Sequence, residues 1–508
     1  MPSEVWQYFC ADPFRHRLLL RLPMTNEPLK PDSADARLAY GVGAGLLMLS
    51  IVLAFITQST YDTGDSIQHY LCSRYAPAHP LLFVDSWAKP LFVLLTVLPA
   101  QAGFVGMMLF QCVVAALSAH LAFRVAVQLR LPMPWLAVPF VYAQPDYFLM
   151  QFSGLTEPLF GLVLVASVAL AVHRRGAWSA VVLSWLPFVR AEGFVLLAVW
   201  VVYVVASRQW RFLPLLGVGF VVYSLVGGAV LGELGWVFGR NAYRYKLASY
   251  GHGGWADFVT HLPGLLGWVL VVLFWGGLAW GLLAWLRPAL RRNPLQWPAE
   301  LLLVYGSIVA YIGAHSVFWA LGIFQSLGMT RVLAALTPLA ALVALSGLDA
   351  LSRLGRQPQT QRRFRVGLAA VALVYPFTGL NHAVRWRRDF GPQGELVLSQ
   401  QIADWIRATY PAGPPALVTA MPALHFKLGT DPFKPTHYRP DALTNNQPLP
   451  AGTVVAWDSR IAVLDYVLTL DRMRADARYA LQWERGTPRN LTKPFAHDST
   501  HVAIFVRR

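Results

Sequence analysis

The chain has 508 residues, 56% of them hydrophobic and only 13% charged. Soluble domains carry about 25% charged residues, so a wholly water-soluble fold is excluded. The formal net charge of +16 would suit nucleic acid, but its distribution argues against that partner. The arginines fall in short connections between apolar runs: Arg174 with Arg175, Arg208 with Arg211, Arg287 with Arg291 and Arg292, and Arg353 through Arg365. That is the positive-inside pattern of cytoplasmic loops.

The apolar residues gather in runs of roughly 17–25, long enough to cross about 30 Å of hydrocarbon as helix. Backbone polar groups cannot stay unpaired in lipid, so the expected fold is an all-α polytopic membrane protein of about eleven transmembrane helices with a small C-terminal α/β or α+β domain. A polar leader without a signal-peptide pattern precedes the first run, 38–57, which reads as an uncleaved helix. An outer loop rich in ionisable residues follows (58–89), then a segment too short to span (90–101), placed at the outer interface. A helix covers 103–129. Residues 134–150 and 155–173 form a hairpin that turns outside at 151–154.

The stretch 177–206 has basic, cytoplasmic-type loops at both ends, yet two full crossings do not fit in it. It reads as two half-helices meeting at Arg190-Ala-Glu-Gly193. Such breaks are tolerated only where they line water or protein. Further helices are expected at 212–231, 263–286, 300–324, 332–351 and 366–380, with His315 read as a core residue of an apolar helix. A second outer loop, 232–262, carries Arg240, Tyr243, Arg244, Tyr245, Lys246 and His252.

Counting crossings places the N-terminus in the cytoplasm and the less hydrophobic tail, 382–508, outside, as a soluble domain separate from the membrane portion, 1–381. In the tail, 402–408 reads as a helix and 416–419, 453–457 and 502–506 as strands. Cys10, Cys72 and Cys112 are scattered and form neither a disulfide framework nor a metal spacing. Short cytoplasmic loops and an outer cysteine favour a bacterial inner membrane with the tail in the periplasm.

The chemistry concentrates in the first outer loop: Tyr61-Asp62-Thr-Gly-Asp65-Ser-Ile-Gln-His69-Tyr70, then Asp85-Ser-Trp87 and Lys89-Pro90. Two carboxylates three apart, with His and Tyr one helical turn on, converge on one face of a short interfacial helix. A half-desolvated carboxylate there can act as general base toward a hydroxyl or amine. The plainer reading makes Asp62 a turn cap and leaves the other groups facing water.

Four local matches resemble the GT-C superfamily of polytopic glycosyltransferases. Gly64-Asp65-Ser-Ile-Gln-His69 is similar to the acidic motif behind the first helix of those enzymes. Gly154-Leu-Thr-Glu157-Pro158 resembles their Ser-Glu or Thr-Glu pair. Phe188-Val-Arg190-Ala-Glu192-Gly193 resembles an Arg-Pro-Glu-Gly turn, with Ala191 in place of proline. Ser326-Leu-Gly-Met-Thr-Arg331-Val-Leu resembles the Glu-x-Arg-Phe motif of mannosyltransferases, with Met329 and Val332 at its Glu and Phe positions.

The resemblance implies an inverting transfer of a hexosyl or pentosyl group from a polyprenyl-phosphate-linked donor to a lipid, glycan or protein acceptor at the extracytoplasmic face. It implies Asp65 as catalytic base, with Asp62 second. Arg331 would bind the donor phosphate, supported by Lys89, Arg244 and Lys246, while His69, Tyr70, Glu157, Arg190 and Asp85 position substrate. A divalent cation, Mg or Mn, would sit on Asp65 and His69 if the reaction uses one.

Two other classes share this topology. A transporter or flippase would show midplane polar sites and inverted repeats, whereas here the halves do not match and the charges crowd one face. An O-antigen-ligase-like glycan transferase places its key Arg and His in a large late outer loop, and the loop before Arg331 is too short for that.

Overall fold

A computed structural model describes residues 29–240, 250–355, 357–375, 384–486 and 500–508. Pro31–Arg508 forms one compact unit. Among the described residues six helices are long and apolar enough to cross a membrane: Ser33–Ile56, Gly103–Gln128, Trp210–Leu231, Trp268–Leu286, Trp297–Leu321 and Thr330–Ser352. Pro90–Gln101, Glu157–Val172, Gly176–Phe188 and Gly193–Ala206 are shorter apolar helices. Large apolar side chains stand exposed along the first helix (Met48, Val52, Phe55, Ile56) and on Leu225, Val272 and Val309. Lipid is the solvent that tolerates them, so the chain is a membrane protein.

Helix α1 (Ser33–Ile56) starts at Asp32, whose side chain accepts from the Ala34 amide. After a turn come α2 (Asp65–Tyr75) and α3 (Pro90–Gln101), then the long α4 (Gly103–Gln128). The short helix expected behind the acidic residues is therefore present. It buries Ile67, Tyr70, Leu71 and Cys72, and Ser73 hydrogen-bonds Thr96 of α3 at 2.7 Å.

The single helix expected over 134–150 is instead broken into α5 (Ala137–Tyr142) and α6 (Pro145–Met150). Gln144 is extended there because Pro145 disfavours helical backbone at the residue before it. Its side chain repairs the break by donating to the Phe140 and Thr337 carbonyls at 3.1 and 2.9 Å. Helix α7 (Glu157–Val172) follows. The half-helices appear as expected: α8 (Gly176–Leu183) and α9 (Gly193–Ala206), joined through Leu186–Phe188 and Arg190.

Later helices begin irregularly where whole helices were expected. Helix α10 (Val218–Leu231) is entered through a 3-10 turn over Trp210–Gly217 that contains Pro214. Gly267, at φ 79°, separates Leu262–Leu266 from Trp268–Leu286. A π-helical stretch, Glu300–Gly306, precedes Ser307–Leu321, and a 3-10 turn, Thr330–Leu336, precedes Thr337–Ser352. The helix expected over 366–380 runs Pro358–Val374.

Helix Thr337–Ser352 is the most enclosed of these. It crosses Trp268–Leu286 so closely that a Cβ on Gly277 would strike the Val343 carbonyl, and one on Gly347 the Leu273 carbonyl. Small residues let membrane helices approach in this way.

From Gly394 onward the chain builds a mixed five-stranded sheet of β1 (Leu417–Thr419), β2 (His437–Tyr438), β3 (Val454–Asp458), β4 (Tyr479–Gly486) and β5 (His501–Arg507), in the order β2-β1-β3-β5-β4. The first three are parallel; β5 runs antiparallel to β3 and β4. Apolar side chains cover both faces, with Ile402, Leu417, Val454 and Ile504 in one core and Val418, Val455, Trp457 and Phe505 in the other. The expected helix at 402–408 is part of Gly394–Thr409, and all three expected strands are present. The short β2 and the exposed edge strand β4 were not anticipated. The expected domain boundary at 381 and 382 lies outside the described residues.

Candidate functional site

The turn leaving α1 is folded by its own side chains. Tyr61 takes a left-handed backbone at φ 64°, Asp62 accepts from the Gly64 amide at 2.8 Å, and Ser66 donates to the Thr60 carbonyl at 2.8 Å. The Gly154 amide in turn donates to the Ser66 hydroxyl at 2.8 Å. A Cβ on Gly154 would collide with the Ser66 carbonyl, so glycine is what lets the turn before α7 rest on α2. This contact brings Glu157, at the start of α7, toward Asp65, at the start of α2.

Arg331 joins the two acids of the first loop although more than 260 positions separate them in sequence. Its Nη1 lies 2.7 Å from Asp62 Oδ2 and its Nη2 bonds Asp65 Oδ2. Its Nε faces Glu157 Oε1 at 3.9 Å. Arg190 makes the second bridge, 2.7 Å from Glu157 Oε1, 2.8 Å from Glu192 Oε1 and 3.2 Å from the Thr156 hydroxyl. His315 Nε2 stands 3.9 Å from Glu192.

The two first-loop acids differ in their surroundings. The Asp62 side chain is 13% exposed and that of Asp65 is 43% exposed. Burial would raise the Asp62 carboxyl, but the Arg331 and Arg460 guanidiniums and the Gly64 amide outweigh it and hold that group well below the usual carboxylate range. Asp62 is thus a fixed anion. Asp65 faces open space.

That space is a cavity of about 370 Å³ walled by Asp65, His69, Trp87, Lys89, Glu157, Arg190, Glu192, His315 and Arg331. His69 is buried and stacks on Trp87 with ring centres 5.0 Å apart. Burial, then the nearby Lys89, Arg190 and Arg331 charges, push its pKa well down, so the ring is neutral. Lys89 is buried with a left-handed backbone at φ 66°. Several buried atoms on this wall have no hydrogen-bond partner among the described residues: His69 Nδ1, Glu157 Oε2, Arg190 Nε, His315 Nε2 and Arg331 Nε. Unpaired buried donors and acceptors are costly, and a polyhydroxyl ligand could satisfy both kinds.

The C-terminal domain closes one side of the cavity with Arg460, Ile461, Leu464 and Asp465. It is tied to the first loop by a Thr63–Glu395 hydrogen bond and by Gln393, which accepts from the Thr60 hydroxyl at 3.0 Å.

Of the residues expected from sequence, Asp65, His69, Glu157, Arg190, Lys89 and Arg331 therefore come together. Three do not line the cavity: Asp62 backs Arg331, Tyr70 packs edge-on against Phe104 and Phe426, and Asp85 caps its own turn through the Trp87 and Ala88 amides. Arg244 and Lys246 lie outside the described residues. Arg240 pairs at the surface with Glu233 at 2.7 Å. His315, read as core, is buried but on the cavity wall.

Asp65 and His69, the pair that would hold a divalent ion if the reaction uses one, both line the cavity, and among the described residues no group of three His, Cys, Asp or Glu side chains converges. Asp65 instead has a guanidinium as counter-ion. Arg460, Glu395 and Asp465 were not foreseen; they sit in a domain whose sequence carries no recognisable motif.

No family model and no curated protein sequence matches the chain. Two solved structures share its fold, both of ArnT from Cupriavidus metallidurans. The crystal structure bound to undecaprenyl phosphate aligns over 93% of this chain and 98% of its own, with TM-score 0.58 and 14% identity. The apo structure aligns over 92% and 98%, with TM-score 0.55 and 15% identity. The expected architecture, a largely helical membrane protein with a small C-terminal mixed sheet, is therefore the observed one, and these two structures share its fold.

Proposed function

We propose that this chain is an inverting membrane glycosyltransferase that takes a sugar from a polyprenyl-phosphate donor. The observation that carries the reading is Asp65: a half-exposed carboxylate on the cavity wall, oriented by Arg331 and faced by Glu157 and Arg190. The undecaprenyl phosphate bound by the ArnT structure of the same fold supports a lipid-phosphate donor. We place the protein in a bacterial inner membrane, with residues 1–381 as the catalytic membrane domain and 382–508 as a periplasmic domain.

In the reaction the acceptor oxygen or nitrogen attacks the anomeric carbon and gives its proton to Asp65 Oδ. The new bond forms as the bond from the anomeric carbon to the phosphate oxygen breaks. The electron pair leaves with the polyprenyl phosphate. One displacement inverts the anomeric centre. Arg331 aims Asp65, while Asp62 balances that guanidinium from behind. The unpaired His69, Glu157 and His315 atoms are suited to sugar hydroxyls. A divalent ion would have to take Asp65 from Arg331.

The test is release of undecaprenyl phosphate from undecaprenyl-phosphate pentoses and hexoses by the purified full chain in nanodiscs supplied with envelope lipids and glycans. The reading requires release by the wild type and its loss in Asp65→Asn. Wild-type turnover by that variant, or no release from any of these donors, would sink it. A transporter would instead move a lipid without breaking the glycosyl bond.

A further inference from the structure

Resting on that reading, we propose that Arg460, in the turn after β3, is the guanidinium that grips the donor's phosphate, so that the C-terminal domain completes the catalytic site. Arg331 was the cation expected in that role, but it is occupied. Two of its nitrogens serve Asp62 and Asp65, and the third faces Glu157. Arg190 is likewise held by Glu157, Glu192 and Thr156.

Arg460 is different. It lines the same cavity with a side chain 31% exposed, and its guanidinium makes no side-chain hydrogen bond among the described residues. Its nearest carboxylates are Asp62 Oδ2, 3.9 Å from Nη2, and Glu395 Oε2, 3.6 Å from Nη1. Both exceed hydrogen-bond length. Those acids also have other partners: Asp62 holds Arg331, and Glu395 accepts from the Thr63 hydroxyl. Burial raises the Glu395 carboxyl further toward its neutral form. The charge on Arg460 is therefore the least spent of the three guanidiniums at the site.

Its mount is rigid. Asp458, fully buried at the end of β3, accepts from the Arg460 amide at 3.0 Å, from Ile461 at 2.6 Å and from Ala462 at 3.3 Å. A fork of N–H donors on a fixed backbone suits the two unesterified oxygens of the donor's phosphodiester. When the glycosyl bond breaks, the electron pair moves onto the phosphate oxygen, and the grip tightens as that charge grows. Arg460 stays protonated throughout.

The experiment titrates the full chain in nanodiscs with undecaprenyl phosphate and, separately, with uncharged undecaprenol, following tryptophan fluorescence. Arg460→Gln should weaken undecaprenyl phosphate by about tenfold or more, the cost of a charge-assisted hydrogen bond, and leave undecaprenol unchanged. Arg460→Lys, with the charge but without the fork, should recover part of that loss. Unchanged phosphate affinity in Arg460→Gln, or equal loss for both lipids, would overturn the assignment. If the glutamine variant does not fold, wild-type protein answers: undecaprenyl phosphate, but not undecaprenol, should shield Arg460 from phenylglyoxal, and absence of shielding overturns the assignment as well. A wild type that fails to distinguish the two lipids would sink the lipid-phosphate reading and this one together. Discrimination kept by Arg460→Gln sinks only this one.

Discussion

Two clusters of buried charge interrupt the apolar helices, and they are built in opposite proportions. Near the basic connections, Asp349, with 3% of its side chain exposed, takes Arg292 and Arg353 at 2.9 Å and Arg365 at 3.1 Å. Glu300 adds a looser contact to Arg292 at 3.7 Å. Arg292 and Arg353 also lie over the Trp280 ring at 5.0 and 4.8 Å. Guanidiniums outnumber carboxylates, and Asp349 is fully engaged. Among the close ion pairs at the cavity the ratio is reversed: Asp62, Asp65, Glu157 and Glu192 share Arg331 and Arg190, while Lys89 and Arg460 line the same wall outside those four pairs. One carboxylate there faces open space. Charge inside a membrane protein is a functional candidate by default, and an adjoining cavity is what distinguishes the proposed catalytic cluster from a clamp.

The sharpest break between them is Asp65→Asn. Transfer from a polyprenyl-phosphate sugar should fall by about 10²–10⁴-fold, the usual worth of a general base, with undecaprenyl-phosphate binding retained in a single-turnover assay. Asp349→Leu should do the reverse. Stranding Arg292 without its carboxylate is expected to cost about 3–5 kcal/mol, read as a lower thermal unfolding midpoint with turnover per folded molecule unchanged. If Asp349→Leu instead abolished turnover in folded protein, the distinction would collapse.

Gly154→Ala tests whether the turn on α2 positions the cavity's acids. A Cβ against the Ser66 carbonyl must displace Glu157 from Asp65, and a loss of about 100-fold in kcat is expected, since small misplacements weigh heavily. Unaltered kcat would show that the contact is only packing.

A further effect is a pH dependence in the C-terminal domain. Burial, and then the neighbouring Glu395, push the Asp458 carboxyl up to about 6 against its three backbone amides. A raised carboxyl favours the protonated folded state, so its stabilising contribution is full below the ordinary value of 3.8 and is lost as pH rises through about 6. Relative to Asp458→Asn, the wild type should therefore lose up to about 3 kcal/mol between those values. A difference that grows with pH across that window would contradict the assignment.

The sequence by itself determined the solvent and much of the element order. Apolar runs too long for anything but lipid-spanning helices are a one-dimensional property, as are the half-helices around Arg190, forced by basic residues at both ends. Asp65, Glu157, Arg190 and Arg331 were legible because short motifs carry them, and Asp62 because it stands three residues from Asp65 in an acidic loop. Where Pro145, Pro214 and Gly267 interrupt helices, local backbone rules were legible in principle but were overridden by the longer apolar pattern.

Tertiary structure alone decided what each charge does. The Arg331 guanidinium became a partner of two carboxylates rather than a free phosphate cation, because folding brought the turn that starts at Thr330 to the acids of the first loop. His315 moved from core to cavity wall through the kink at Arg190. Arg460 entered the site from a domain without motifs, because a turn after a buried strand happens to meet the first loop. Electrostatic roles depend on distance and burial, and those quantities exist only once residues far apart in sequence are packed together.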